Sequence, residues 1–311
     1  MAHHHFVPET YHTAIGAHEP VLSVASGDTI STTTVDAGGS DATGKPITPA
    51  GNPQTGPFYL EGAEPGDTLA VTFDKLAPNR KIGYTSGVVA ANVLDFGYIP
   101  EFDDNLGRLL DWEIDYENNT ATPVGFDELP IGRLRIPLKP MVGCFGVAPP
   151  RGQAISTATS DTHGGNMDYR EFVEAVTVYL PVFVNGGLFH IGDGHAVQGD
   201  GEIAGTGIEI SFDVTFTLRL IKGKTIQWPR AINDTHVMAV GNARPLDQAT
   251  QHATTELIRF LQEDFGLDAR SIHILMGQAV EYDVGNVYDP AYTMVCKMPL
   301  DILESIGASR Q

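Results

Sequence analysis

Residues Leu188 to Glu202, LFHIGDGHAVQGDGE, set Asp193, His195, Asp200 and Glu202 among four glycines. In an extended segment Asp193 and His195 are two apart and point to one face, within reach of a single cation. The Gly199-Asp200-Gly201 turn then folds Glu202 back towards them. Carboxylate and imidazole together suit a hard or borderline divalent metal. A plainer reading competes with this one, because Asp-Gly pairs are common turn formers and a histidine beside an acid is often a structural hydrogen-bonded pair.

Two further segments carry candidate chemistry. In DTHGGNMDY, His163, Asn166 and Asp168 surround Gly164-Gly165, where backbone amides can approach a ligand and Asn or His can donate to a developing negative charge. The alternative there is a capped loop. In NPQTGPFYLEGAEPGD, Glu61 stands among apolar strand residues, so it either pairs with a cation, has a raised pKa, or faces outward. Cys144 in PMVGCFGVAPP has no neighbouring base and reads as a packing residue rather than a nucleophile. The serine motif GxSxG, the phosphate loop GxxxxGK[ST] and the zinc motif HExxH are all missing from the sequence.

Strands must position these groups. From Ile208 to Leu220 apolar residues occupy every second place, with Glu, Ser, Asp, Thr, Thr and Arg between them, which predicts a long half-buried strand. The KGK that follows predicts a turn into a second strand, TIQWPRAI, of the same hairpin. Upstream, FVEAVTVYLPVFVNGGLFHIG is β-rich, with Pro181 at a bend or edge. Residues 20–36 predict two strands around Gly27-Asp28, and Pro65-Gly66-Asp67 separates another two.

The middle, about 78–135, is acidic and irregular and reads as an inserted excursion with short elements. Helix dominates only beyond about residue 245. There Pro245 and Asp247 suit a first turn, and Ala249, Ala253, Leu257, Ile258, Leu261 and Phe265 form an apolar stripe ending at Gly266. A shorter helix, DARSIHILMGQA, and a closing strand, TMVCKMPLDIL, follow. The expected fold is therefore β-rich α+β: a sandwich or barrel-like body over 1–244 and a smaller helix-containing portion over 245–311 packed on it.

Composition narrows the function classes. The chain has 311 residues, 42% of them apolar, enough for a sizeable core. Nineteen basic against 39 acidic residues give a net charge of −20, which repels phosphate backbones and anionic lipid. No nucleic-acid or membrane partner is expected. The start MAHHHFVPETYHTAIG has no signal-peptide order, so a cytoplasmic location is the expectation. Two cysteines, Cys144 and Cys296, define neither a disulfide framework nor a zinc ribbon. His3 to His5 are either native or a tag remnant, and no role is given to them.

Taken in order, HEPVLSVASGDTI, NPQTGPFYLEGAEPGDTLAV, MVGCFGVAPPRG, HGGNMD and LPVFVNGGLFHIGDGHAVQGDGEIAGTGIE resemble the acetamidase/formamidase family over most of the chain. The resemblance implies a β-rich, metal-containing homodimer or larger homo-oligomer that hydrolyses a small-molecule amide to a carboxylate and ammonia. It also implies the site residues. His18, Asp36, Asp193 and His195 are the expected metal ligands, with zinc first and calcium or manganese as alternatives. Glu61 or Glu202 is the expected base, and His163, Asn166 and Asp168 line the substrate. One departure is Gly194, where relatives are expected to carry a larger apolar residue, so pocket size is open.

The chemistry agrees with that implication. Amides are poor electrophiles, and a bound divalent metal both acidifies water and polarises a carbonyl. Two other readings stand beside it. One is hydrolysis of a different C–N bond, such as a larger or cyclic amide or a urea-like compound, with the excursion reshaping the pocket. The other is a metal-binding β-protein without catalysis.

Overall fold

The computed structural model describes residues 1–98 and 108–310. The fold is β-rich α+β, and its largest sheet has nine strands. In spatial order these are His3–His5, Thr29–Thr34, Phe212–Ile221, Thr68–Pro78, Thr177–Pro181, Arg230–Ile232, His236–Ala243, Tyr292–Pro299 and Glu281–Asn286. A six-stranded sheet faces it, in the order Ser160–Asp161, Gly164–Asn166, Met141–Gly146, Phe189–His195, Thr55–Leu60 and Leu22–Val24. The nine-stranded sheet is open at both ends, so the body is sandwich-like and not a closed barrel.

The two sheets share one core, which follows from the period-two patterning. Phe212, Val214, Phe216 and Leu218 are buried while Asp213 and Arg219 on the same strand are exposed. Across the interface Phe216 meets Phe58 and Phe189 edge-on, each at 5.3 Å between ring centroids, and Phe73 meets Phe145 at 5.1 Å. The turns expected at Gly27-Asp28 and Pro65-Gly66-Asp67 carry the chain between the two sheets. Leu22–Val24 and Thr55–Leu60 lie in the six-stranded sheet, whereas Thr29–Thr34 and Thr68–Pro78 lie in the other.

The expected hairpin after Leu220 does not form. Both edges of Phe212–Ile221 are already taken, by Thr29–Thr34 and Thr68–Pro78. Arg230–Ile232 therefore pairs with Thr177–Pro181 and His236–Ala243.

Helix α1, Leu246–Phe265, packs Ala249, Ala253, Leu257, Phe260 and Leu261 against Val237, Ala239, Cys296 and Met298 of the nine-stranded sheet. Pro245 is its N-cap and Gly266, at φ 65°, its left-handed C-cap. Helix α2, Ala269–Ala279, is capped by Asp268, whose side chain accepts from Arg270 N and Ser271 N. The closing segment splits into the strand Tyr292–Pro299 and helix α3, Leu300–Ser305. Because Tyr292–Pro299 and Glu281–Asn286 continue the large sheet, the C-terminal portion shares a sheet with the body.

The excursion is more regular than its sequence suggests. Ile82–Thr85, Leu110–Asp115, Thr120–Pro123 and Ile136–Pro137 form a four-stranded antiparallel sheet, and the stretch 99–107 lies outside the described residues. Among the described residues no helix is long and apolar enough to cross a membrane.

Candidate active site

The strand Phe189–His195 and its antiparallel neighbour Met141–Gly146 form the floor of the site. Their register pairs Val142 with Gly194 and Cys144 with Gly192, which sets Gly143 opposite Asp193. A Cβ on Gly143 would come within 2.1 Å of Asp168 Oδ1 and 2.7 Å of Asp193 Oδ2, so the bare backbone here makes room for both carboxylates. The turn at 199–201 returns Glu202 to the same place, as Gly201 N donates to Val284 O and Gly201 pairs with Asn286. Glu209 enters from the segment before the long strand, bridged on one side to His195 and on the other to Tyr84.

Six ionisable side chains thus converge: Asp168, Asp193, His195, Glu202, Glu209 and Asp289. Their ligand atoms fall into three overlapping groups of three, Asp168/Asp193/His195, His195/Glu202/Glu209 and Asp168/Glu202/Asp289, each within 4.8 Å. All six are buried. Among the described residues no lysine or arginine forms an ion pair with any of the six, and the ion pairs within the set run from His195 to Asp193 and Glu209. Isolated buried carboxylates are costly, which means that protons or a cation must balance this set.

The hydrogen bonds divide the cluster. His195 Nδ1 lies 2.9 Å from Gln198 Oε1, and Gln198 Nε2 donates to Asp168 O, which fixes the orientation of that amide. The acceptor at Gln198 requires a proton on Nδ1. His195 Nε2 then faces Asp193 Oδ1 at 3.3 Å and Glu209 Oε1 at 2.9 Å, without hydrogen-bond geometry to either. Beside two carboxylates this nitrogen needs either its own proton, which makes the ring an imidazolium, or a cation in the proton's place, and a histidine that ligates a metal commonly has its other nitrogen hydrogen-bonded in this way. Asp168 Oδ1 and Glu209 Oε2 are likewise buried without partners.

On the other side Asn286 Nδ2 lies 2.8 Å from Asp168 Oδ2, 2.8 Å from Glu202 Oε2 and 3.1 Å from Asp289 Oδ2. Its Oδ1 accepts from the backbone N–H groups of Tyr288 and Asp289, so the amide cannot turn round.

Burial is the main cause of the shifted acidities. It pushes Glu209 up to about 7 against the pull of His195, and Asp289 up to about 6. Asp168 is raised well above the carboxylate range, first by burial and then by Glu202 and Asp193, and burial raises Glu202 likewise against the pull of His195. Burial opposes the charge on His195, but Glu209 and Asp193 outweigh it and hold the imidazole well above its ordinary value. Asp193 is held low because His195 overcomes its burial. Strain accompanies this clustering: Asp168, Asp193, Glu202 and the pocket residue Asn52 all have positive φ, between 43° and 61°.

Of the residues expected from sequence, Asp193, His195, Glu202, Asp168 and Asn166 are brought together; Asn166 donates to Asp289 Oδ2 at 2.6 Å. Five others are not. His18 stacks on His12 at 3.9 Å between centroids, and Ala14 O lies 2.9 Å from its Nε2. Asp36 lies nearby, but Arg80 occupies one of its oxygens at 2.5 Å and Ser40 N the other at 2.9 Å. Glu61 is exposed, in the turn after Thr55–Leu60. His163 is buried, neither of its nitrogens has a hydrogen-bond partner among the described residues, and burial drives its pKa down to about 4, so its ring is neutral and lies outside the six grouped side chains. Asp200 lies on the surface beside Arg170. Gly194 does not enlarge the pocket, since a Cβ there would stand 2.2 Å from the Phe212 ring, which already fills that space.

Glu209, Asp289, Asn286 and Gln198 were not expected. Glu209 occupies a polar slot in an alternating run, which reads as a solvent-facing position, and Asn286, at the end of the strand Glu281–Asn286, and Asp289, in the bend after it, lie far along the chain. Among all of these only Gln198, three residues from His195, carried a local signal.

Comparison with known proteins agrees with this architecture. The Acetamidase/Formamidase family profile matches residues 151–305. The crystal structure of an acetamidase from Yersinia enterocolitica superposes with a TM-score of 0.83, at 31% identity over 97% of this chain and 93% of that one. An acetamidase from Bacillus halodurans gives 0.81, at 29% identity over 97% of this chain and 99% of that one. The acetamidase of Mycolicibacterium smegmatis is 27% identical over 218 residues, 54% of this chain and 53% of that protein. The fold and the acidic pocket define a β-rich protein with an amidase-type architecture. The chain belongs to the acetamidase/formamidase family. It spans about half the length of the curated relatives it matches.

Proposed function

We propose that this chain hydrolyses short-chain aliphatic amides, of the formamide and acetamide class, to carboxylate and ammonia, with a divalent cation held by Asp168, Asp193 and His195. The observation that carries the proposal is His195 Nε2, buried and set against two carboxylates with its other nitrogen tied to Gln198. One imidazole with several carboxylate oxygens suits zinc first, and manganese or calcium with more oxygens. The sulfur of Cys144 is not in the donor set.

When bound, the cation supplies polarisation of the amide carbonyl and acidification of water. The rest falls to the chain. In this reading Glu202, oriented by Asn286, acts as the ionised carboxylate: it takes a proton from the water that adds to the carbonyl carbon and returns it to the nitrogen as the C–N bond breaks. Asn286 and Asn166 hold Asp168 and Asp289 in fixed positions beside it. Asn52, Ala158, Asn166 and Tyr84 line a cavity of about 240 Å³ over Asp193, Glu202 and Glu209, a space that suits a small acyl group. Assembly into a homo-oligomer belongs to the same proposal; it would cover exposed apolar side chains such as Phe96, Leu109 and Leu129 on the excursion.

The test is ammonia release from formamide, acetamide and urea by the purified protein. Release from the two amides and not from urea is expected. Release from urea alone would move the assignment to a different C–N bond.

A further inference from the structure

Tyr84 borders two cavities. The inner one, about 240 Å³, is lined by Asp193, Glu202, Glu209 and Asp289 of the acidic cluster. The outer one, about 620 Å³, is lined by Asp36, Arg80, Lys81, Ile82, Tyr84 and Asp111 among others. Among the described residues Tyr84 is the one common to both linings. Its backbone is fixed to the catalytic segment, since Tyr84 N donates to Glu209 O at 3.1 Å and Glu209 N donates to Tyr84 O at 2.8 Å. On the opposite side the phenol oxygen packs against Gly38, 3.0 Å from where a Cβ would stand. The ring is therefore wedged between Glu209 and the 36–38 segment.

Further contacts hold the excursion against the same loop of the site. Ser86 N donates to Thr206 Oγ1 at 2.8 Å and Ala90 N to Ile203 O at 2.7 Å, while within the excursion Trp112 Nε1 donates to Thr85 Oγ1 at 2.9 Å.

We propose that Tyr84 is the residue that limits acyl-chain length, its ring closing the inner pocket off from the outer cavity. The proposal rests on the amide-hydrolase reading above. An acyl chain of one or two carbons ends short of the ring, whereas a longer one runs into it. Without the ring the two cavities join. The outer cavity then accepts the tail of the chain, and its balanced Arg80/Asp36 and Lys81/Asp111 charges favour a neutral polar end. Tyr84 takes no part in bond breaking in this account; it determines which amides fit.

The experiment compares acetamide, butyramide, hexanamide and 6-hydroxyhexanamide as substrates of the full-length, metal-loaded protein and of Tyr84→Phe, Tyr84→Ala and Tyr84→Val, with folding checked by circular dichroism. In Tyr84→Ala and Tyr84→Val the kcat/KM ratio of hexanamide to acetamide should rise by about tenfold or more, through KM, and 6-hydroxyhexanamide should gain more than hexanamide. Tyr84→Phe, which keeps the ring, should keep the original ratio. The proposal is overturned by an unchanged ratio in a folded Ala or Val variant, by an equal rise in the Phe variant, or by an unsubstituted protein that already takes hexanamide as well as acetamide. Protein that hydrolyses no amide would remove the reaction assignment instead. In that case calorimetric binding of 6-hydroxyhexanamide, expected for Tyr84→Ala and not for the unsubstituted chain, decides the role of the ring independently.

Discussion

The Nε2 nitrogen of His195 stands 2.9 Å from Oε1 of Glu209, across an antiparallel bridge between their backbones, and both side chains are buried. The pair places a titrating carboxyl beside an imidazole already faced by Asp193. Glu209 has its carboxyl raised from an ordinary value near 4.5 to about 7. A group whose folded pKa is raised stabilises fully below its unfolded value and loses that contribution as pH rises through the folded value. In metal-free protein Glu209 therefore stabilises at pH 4.5 and ceases to do so by about 7. Relative to Glu209→Gln, the chelated protein should lose up to about 1.4 kcal/mol per pH unit across that window, measured by urea denaturation. Parallel pH profiles for the two proteins would contradict the assignment.

Glu202→Gln keeps the shape and the bond to Asn286 but removes the proton acceptor. Turnover of acetamide is expected to fall by about a hundredfold or more with the fold intact. Unchanged turnover would remove Glu202 from catalysis.

Asn286→Ala takes the shared donor away from Asp168, Glu202 and Asp289 together. Leaving buried acceptors unpaired costs about 1–3 kcal/mol, so denaturant midpoints of the metal-free variant should fall accordingly. A loss below about 0.5 kcal/mol would show that these carboxyls do not depend on the amide.

Glu61 separates what the structure says from what motif position suggests. It is exposed in a turn, and Glu61→Gln should leave acetamide turnover within about twofold and stability within about 0.5 kcal/mol. A loss approaching that of Glu202→Gln would restore it to the catalytic set.

How much of this was legible in the sequence follows from distance along the chain. Asp193, His195 and Glu202 lie within ten positions of one another, so a strand and a turn suffice to bring them together. Asn286 reaches Asp168 across 118 residues and Glu202 across 84, and no local pattern encodes such contacts. Glu209 was hidden for a different reason. Its segment runs between the strands of Tyr84 and His195 before the long strand begins, so a position that alternation assigns to solvent is enclosed on both sides. The fold shows the same division. The alternating strand and the apolar stripe of α1 were readable from periodicity, whereas strand pairing depended on which edges were already occupied. His18 and Asp36 show the limit of transferring roles by motif alone, because His12 and Arg80 hold them elsewhere.

The most direct test of the central claim is a metal titration of the chelated full-length protein, following ammonia release from acetamide alongside bound metal by mass spectrometry. The account predicts that chelation abolishes release, that zinc restores it in proportion to the metal bound, and that His195→Ala binds the metal more weakly. Full acetamide hydrolysis by protein shown to carry no metal would contradict it.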